Sequence, residues 1–439
     1  MILTIYTNKM NYKHILTSCI FAIAMVFTSQ AQQTPAPEQS QAISIVGATA
    51  HIGNTEVIEN AVVVFEEGKI TYVGSDQTKA TGQQIDASGK HVYPGFIAPN
   101  ATLGLVEIDA VAATNDEDEL GKMLPHVRSL IAYNAESKIV ESMRPNGVLM
   151  GQITPQGGRI SGTSSVVQFD AWNWEDAVIK EDDAIHMNWP RGFRRSGNWY
   201  DADRVWEKNK DYTSEIDEVV AYMNNAKAYV PGSKDTDLEF EAMAGLFDGS
   251  KALFIHVEGE KEIRDVISFK NKMNLDRVTI VGGYHAHKVA KELAANDISV
   301  LVQRTHLNPN FEDDDYDLPY KLPKLLSDAG VLVALEGSGR MERMNSRNLP
   351  FYAGTAAAFG VDKELAVQMI TLNTAKILGM ENQIGSLEVG KDATLFVSEG
   401  DALDMKGNII NHAYIQGRDV SLESHQTELY ERYSNKYQD

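Results

Sequence analysis

Three short clusters carry side chains able to move protons or hold a cation. In Phe254-Ile255-His256-Val257-Glu258-Gly259 an apolar run ends in a His-x-Glu pair, and on a strand residues i and i+2 face the same way. In Ala334-Leu335-Glu336-Gly337-Ser338 the same spacing sets a carboxylate beside a hydroxyl. His285-Ala286-His287 offers two imidazoles where a strand gives way to a helix. On a helix i and i+2 diverge, so a loop or helix-cap histidine is the competing reading there. The glycine-rich stretch 155–162, with Arg159 inside it, follows a strand; its amides could hold a carboxylate or phosphate, or form a plain tight loop. Asp313-Asp314-Asp315-Tyr316-Asp317 could draw a cation or stand as a solvated loop. No G-x-S-x-G nucleophile motif occurs, and a single cysteine, Cys19, excludes a Cys-rich zinc site.

The elements that must position these residues are legible in outline. Ile43-Ser44-Ile45-Val46, Ala61-Val62-Val63-Val64-Phe65 and Lys69-Ile70-Thr71-Tyr72-Val73 read as strands of a small antiparallel unit. From about residue 97 to 375, short apolar runs alternate with helical patterns. The runs at 148–150, 253–257, 278–281, 300–302 and 331–335 alternate with helical stretches such as 261–272 and 287–295. Repeated β-then-α units with fully apolar strands predict a parallel sheet covered by helices, and at this length closure into an α/β (β/α)8 TIM-type barrel. Residues 191–234 form a polar insertion, helical in its second half. After a helix at 364–378 the chain returns to β structure at 395–397 and 409–415. The spacing of Leu429, Tyr433 and Tyr437 predicts a terminal helix packing one face on the core.

With Lys+Arg 40 against Asp+Glu 61 and a net charge of −21, the chain lacks the basic surface a nucleic-acid partner requires. Residues 1–31 read as a signal peptide: Lys9 and Lys13 precede a 13-residue apolar run, and Ser29-Gln30-Ala31 offers small residues for cleavage. That run is too short to span a bilayer comfortably, so the expectation is a periplasmic or secreted protein with no membrane span. Residues 32–41 form a short leader.

Two long motifs carry a family resemblance. Ile85-Asp86-Ala87-Ser88-Gly89-Lys90-His91-Val92-Tyr93-Pro94-Gly95-Phe96-Ile97 precedes the alternating region. Thr371-Leu372-Asn373-Thr374-Ala375-Lys376-Ile377-Leu378-Gly379 and Ile384-Gly385-Ser386-Leu387-Glu388-Val389-Gly390-Lys391-Asp392-Ala393 follow it. Together they resemble the amidohydrolase superfamily, most closely its imidazolonepropionase-like branch. The resemblance implies a barrel over 97–380 and a small β-sandwich built from 42–96 and 381–439, with the terminal helix after it. It also implies hydrolysis of C–N bonds in a small-molecule amide, cyclic or peptide-derived, with a divalent zinc-type metal activating water.

Ligand by ligand, the family pattern is met in part. Its first His-x-His corresponds to Asn100-Ala101-Thr102, poor zinc donors that suit substrate contact, with Arg159 as a further contact. The strand-five histidine is His256, with Glu258 beside it. The strand-six histidine is replaced by Gly282-Gly283, which leaves His285 as a displaced ligand. The strand-eight aspartate is absent, and Glu336 with Ser338 either takes the catalytic position or stands as a carboxylate paired with Arg340 or Arg343. Two readings follow: a hydrolase with an atypical metal centre built on His256, Glu258 and His285, or a metal-free, catalytically inactive barrel. The second would bind a ligand or pair, as a homo- or hetero-oligomer, with a related amidohydrolase.

Overall fold

The computed structural model describes residues 34–195, 205–232, 234–339 and 341–437; the expected signal peptide lies outside them. Strand β1 (Ile43–His51) pairs antiparallel with β2 (Val57–Glu66), and β2 with β3 (Lys69–Gly74). Strands β4 (Gln83–Asp86) and β5 (His91–Pro94) run parallel to β1, so the N-terminal unit is mixed rather than purely antiparallel. Its apolar positions, among them Ile45, Val63, Phe65 and Val92, close a small core of their own.

The chain then enters a second eight-stranded sheet: β6 (Phe96–Ala101), β7 (Val148–Ile153), β8 (Ile160–Gln168) and β9 (Val178–Asn188) come first. An insertion follows, a hairpin of β10 (Phe193–Arg195) and β11 (Trp206–Lys208) leading to the helix Tyr212–Ala228. The sheet resumes with β12 (Ala252–Val257), β13 (Val278–Gly282), β14 (Ser299–Gln303) and β15 (Val333–Glu336), whose end comes back beside β6 to nearly close a barrel. The barrel expectation holds with one correction: β8 runs antiparallel to both β7 and β9. A tight turn through Gly157 and Gly158 replaces the crossover helix that a parallel β8 would require.

The helices earn their places by burial. Glu260–Met273 buries Ile263, Val266, Ile267, Phe269 and Met273, a stripe of helical period, and Asn274 ends it in the left-handed conformation. Leu372–Leu378 plugs the base of the barrel: Ala375, Ile377 and Leu378 pack with Ile97, Met150, Val166, Phe254 and Val281. The far end of the chain rejoins the first sheet through β16 (Leu395–Ser398), which pairs with β5, then β17 (Ile410–Ile415) and β18 (Arg418–Asp419). Both termini therefore build one sheet flanking the barrel.

The terminal helix His425–Asn435 forms behind a Ser424 capping box, but it buries nothing. Tyr433 is 54% and Tyr437 76% exposed and Leu429 is only half-buried, which corrects the expected core stripe. Among the described residues, no helix is long and apolar enough to cross a membrane.

Candidate functional site

The barrel interior has two layers, and alternation along each strand decides which residue enters which. Met150, Val166, Ala184, Phe254, Val281, Leu301 and Ala334 belong to the apolar lower layer. Two residues further toward the C-terminal ends of the parallel strands lie Gln152, His186, His256, Gln303 and Glu336. On the antiparallel β8 the corresponding residue is Ser164, two positions before Val166. The upper layer is thus polar, and it sits at the end of the barrel where active sites of this fold gather.

Gln152, Ser164, Asp183 and His186 are all at most 1% exposed and satisfy one another. The Gln152 amide donates to Asp183 Oδ2 at 2.8 Å and to Ser164 Oγ at 3.2 Å. Ser164 Oγ donates to Asp183 Oδ1 at 2.7 Å. His186 Nε2 lies 3.0 Å from Ser164 Oγ, and His186 Nδ1 lies 3.2 Å from His256 Nε2. Asp183 can join this group because β9 bulges opposite Ser164 and Val166, with Asp182 at φ 48°, and a bulge re-aims a side chain.

Burial sets the charge states. It holds His256 down to about 4 and His186 well below the usual imidazole value, so both rings are neutral at pH 7. It pushes Asp183 upward, against the hydrogen bonds from Ser164 and Gln152.

His256 and Glu258 share one wall of a cavity of about 1320 Å³. Trp189, Tyr284, His285 and Phe311, together with Phe193 and Trp206 of the insertion hairpin, supply its aromatic surface. Arg159, Arg191 and Glu215 supply charge. Arg159 bonds the Asn188 carbonyl at 2.7 Å and Glu215 at 3.2 Å, while its Nε is buried and without a partner. His285 stacks on Phe311 at 5.5 Å, and its Nε2 stands 3.8 Å from Asp314.

The Glu258 carboxyl lies over Gly282, at the end of β13, where the resemblance leads one to expect a histidine. The φ of +89° at Gly282 and its lack of a side chain admit the Glu258 carboxyl; a Cβ there would stand 2.3 Å from Glu258 Oε1. The Tyr284 amide donates to Glu258 Oε2 at 2.9 Å. The carboxyl's surface is open to the cavity, yet the protein walls crowding it push it up to about 7, against the Tyr284 bond and the charge of Arg191. Glu336 is fully enclosed and rises to about 7 for the same reason, although Ser338 donates to it from both its amide and its hydroxyl.

Asn100 departs from the facing expected of a strand residue. Its φ of 51° and the register shift in β6 break the alternation, so Asn100 and Thr102 do not act as an i, i+2 pair. The Asn100 backbone N–H donates to Gln152 Oε1 at 3.1 Å, and the side-chain Oδ1 of Asn100 is buried and unpartnered. Thr102 Oγ1 donates to Glu342 at 2.6 Å, a buried carboxylate that the sequence reading did not single out.

A zinc-type centre needs about three lone pairs aimed at one point. Here Glu336 is taken up by Ser338 and Thr102 is committed to Glu342, while His256 has Nε2 turned to His186 and only Nδ1 left for the cavity. His285 shares the cavity with His256 and Glu258. Among the described residues no three His, Cys, Asp or Glu side chains form a group that could hold a metal ion. The residues present do not fit the divalent ion that the resemblance implies.

Sequence reasoning missed Gln152, Ser164, Asp183 and Gln303 of this polar group and, above all, His186. Its signal was the alternation Ala184-x-His186-x-Asn188, hidden behind the charged run Lys180-Glu181-Asp182-Asp183.

Comparison with known proteins agrees with this architecture. The model of the amidohydrolase family matches residues 321–420. The imidazolonepropionase of Fusobacterium nucleatum is 23% identical over 389 residues, covering 81% of this chain and 89% of the relative. The crystal structure of an amidohydrolase from Thermotoga maritima MSB8 superposes with a TM-score of 0.71 at 25% identity, over 86% of this chain and 99% of that one. An adenosine deaminase from Xanthomonas campestris, solved with bound zinc, shares the fold at a TM-score of 0.52 and 14% identity, over 92% of this chain and 98% of that one. In sequence and fold the chain is thus similar to members of the amidohydrolase superfamily, an imidazolonepropionase among them.

Proposed function

We propose that the cavity binds a small amide, cyclic or peptide-derived, and that the protein hydrolyses its C–N bond with Glu258 handling the proton. The observation that carries this reading is a carboxyl near pH 7, open to the cavity beside His256. A group half-ionised at neutral pH can both accept and return a proton. Water adds through oxygen to the amide carbon, Glu258 takes its proton, the C–N bond breaks, and the proton passes to the departing nitrogen. Arg191 and the unpartnered Nε of Arg159 suit a carboxylate on the same substrate. No step runs through a metal, because the donor set does not fit one.

The test is turnover of N-acyl amino acids, dipeptides and five-membered cyclic amides. Glu258→Gln lowers kcat by 10²–10⁴-fold, the usual range for losing general acid–base catalysis. A variant with unchanged kcat contradicts the reading.

The absence of a metal-holding group among the described residues favours a second reading. In it the barrel binds its amide without cleaving it, alone or beside a related catalytic barrel. No turnover on any amide, with saturable binding retained, selects it. We further propose export to the periplasm or medium, supported by the leader pattern of residues 1–31. N-terminal sequencing of the secreted protein then begins at Gln32, and an intact leader in an exported fraction contradicts that.

A further inference from the structure

We infer that the buried chain Asp183–Ser164–His186 fixes the tautomer of His256, so that His256 presents the lone pair of Nδ1 to the cavity and selects a ligand N–H there. The ligand class rests on the amide reading above; the tautomer does not.

Protons and lone pairs must balance along this chain. A serine hydroxyl has one proton and two lone pairs. Four groups lie within hydrogen-bond distance of Ser164 Oγ: Asp183 Oδ1 at 2.7 Å, His186 Nε2 at 3.0 Å, the Gln152 amide at 3.2 Å and the Ala184 carbonyl at 3.3 Å. The hydrogen bonds from Ser164 and Gln152 and the charges of Lys180 and Arg277 hold Asp183 as a carboxylate against its burial, so the shortest contact takes the Ser164 proton. Both lone pairs must then receive N–H groups, one from Gln152 and one from His186 Nε2. A neutral imidazole that donates through Nε2 accepts through Nδ1, so His256 must donate Nε2–H across the 3.2 Å contact. That leaves His256 Nδ1 without a proton. This nitrogen has no hydrogen bond to the described residues and is not among the buried unpartnered atoms, so it opens on the cavity that His256 lines.

Polarity set from below in this way makes His186 a positioning residue. It touches no ligand, yet it decides whether the cavity meets an acceptor or a donor at His256. An amide N–H fits an acceptor, whereas a fully substituted amide leaves it unsatisfied. A site whose polar group goes unpaired discriminates strongly against the analogue lacking the partner.

The test is two-bond ¹H–¹⁵N correlation on full-length, histidine-labelled protein, with His256 assigned by the signals lost in His256→Asn. The expected wild-type pattern has Nε2 protonated and Nδ1 bare. Ser164→Ala removes the acceptor of His186 Nε2 and is expected to mix the His256 tautomers, and His186→Phe does the same by a separate route. Titration with acetamide moves the His256 Nδ1 resonance, whereas N,N-dimethylacetamide, with the same carbonyl and no N–H, leaves it in place. A wild-type His256 protonated on Nδ1, or an equal response to both amides, overturns the proposal. These spectra need no turnover, so a failed hydrolase reading and a failed tautomer assignment give separate signatures.

Discussion

Glu336 carries the cleanest consequence at the scale of single residues. Enclosure lifts its pKa from 4.5 to about 7, with the Ser338 hydrogen bonds opposing the rise. The folded state therefore holds a proton that the unfolded chain has released between those pH values. The contribution of Glu336 to stability falls as pH rises from about 4.5 to about 7 and then levels off. Glu336→Gln removes that loss. Relative to wild type the variant gains stability between pH 5 and pH 8 by an amount on the order of 3 kcal/mol, the free-energy equivalent of the shift. Urea unfolding at the two pH values measures it, and a pH-independent difference contradicts the assignment. The two imidazoles act in the opposite sense: burial depresses them, so their contribution is lost as pH falls below about 6.5. Comparing variant with wild type at each pH cancels that term.

At the scale of elements, the β12–β13 pair couples a backbone conformation to a functional side chain. Gly282 ends β13 at φ +89°, and the space above it holds the Glu258 carboxyl. Gly282→Ala meets both a strained φ and a clash, and costs about 1–2 kcal/mol or more. Because only the clash involves Glu258, the same substitution made in a Glu258→Ala background costs less, by at least about 0.5 kcal/mol. Thermal melting of the four proteins reads this coupling, and an identical cost in both backgrounds refutes the contact.

The same scale explains what the sequence revealed and what it hid. His256 and Glu258 follow a clean apolar run, so their common facing was readable from spacing alone, and both line the cavity. The strands β8 and β9 were not readable. β8 is Ile160-Ser161-Gly162-Thr163-Ser164-Ser165-Val166-Val167-Gln168, buried throughout yet rich in small polar residues. β9 begins with charges that look like a surface loop. Their hydroxyl and carboxylate groups are tolerable in a barrel interior because they satisfy one another, and such pairing depends on contacts distant in sequence. His186 was lost with them.

On the scale of the whole molecule, the scaffold and the chemistry have separated. The sheet shared by the two termini, the helix plugging the barrel base and the motifs flanking the barrel follow the superfamily pattern. Fold does not fix function, and the upper layer illustrates the point. Positions where the resemblance leads one to expect metal ligands hold a buried amide, a glycine with a carboxylate seated over it, and a glutamate capped by serine. The site that results is a cavity with a near-neutral carboxyl and a neutral, oriented imidazole.

The central claim is that this cavity cleaves a small amide through Glu258 and without a zinc-type ion. The most direct measurement is turnover of the amide panel by protein dialysed against chelator, with wild type and Glu258→Gln assayed side by side. The account predicts that wild-type activity survives dialysis, gains nothing from added zinc, and falls at least 100-fold in the variant, within the range expected for a lost general acid–base group. Activity that vanishes on chelation and returns with zinc, or that never appears on any amide, would contradict it.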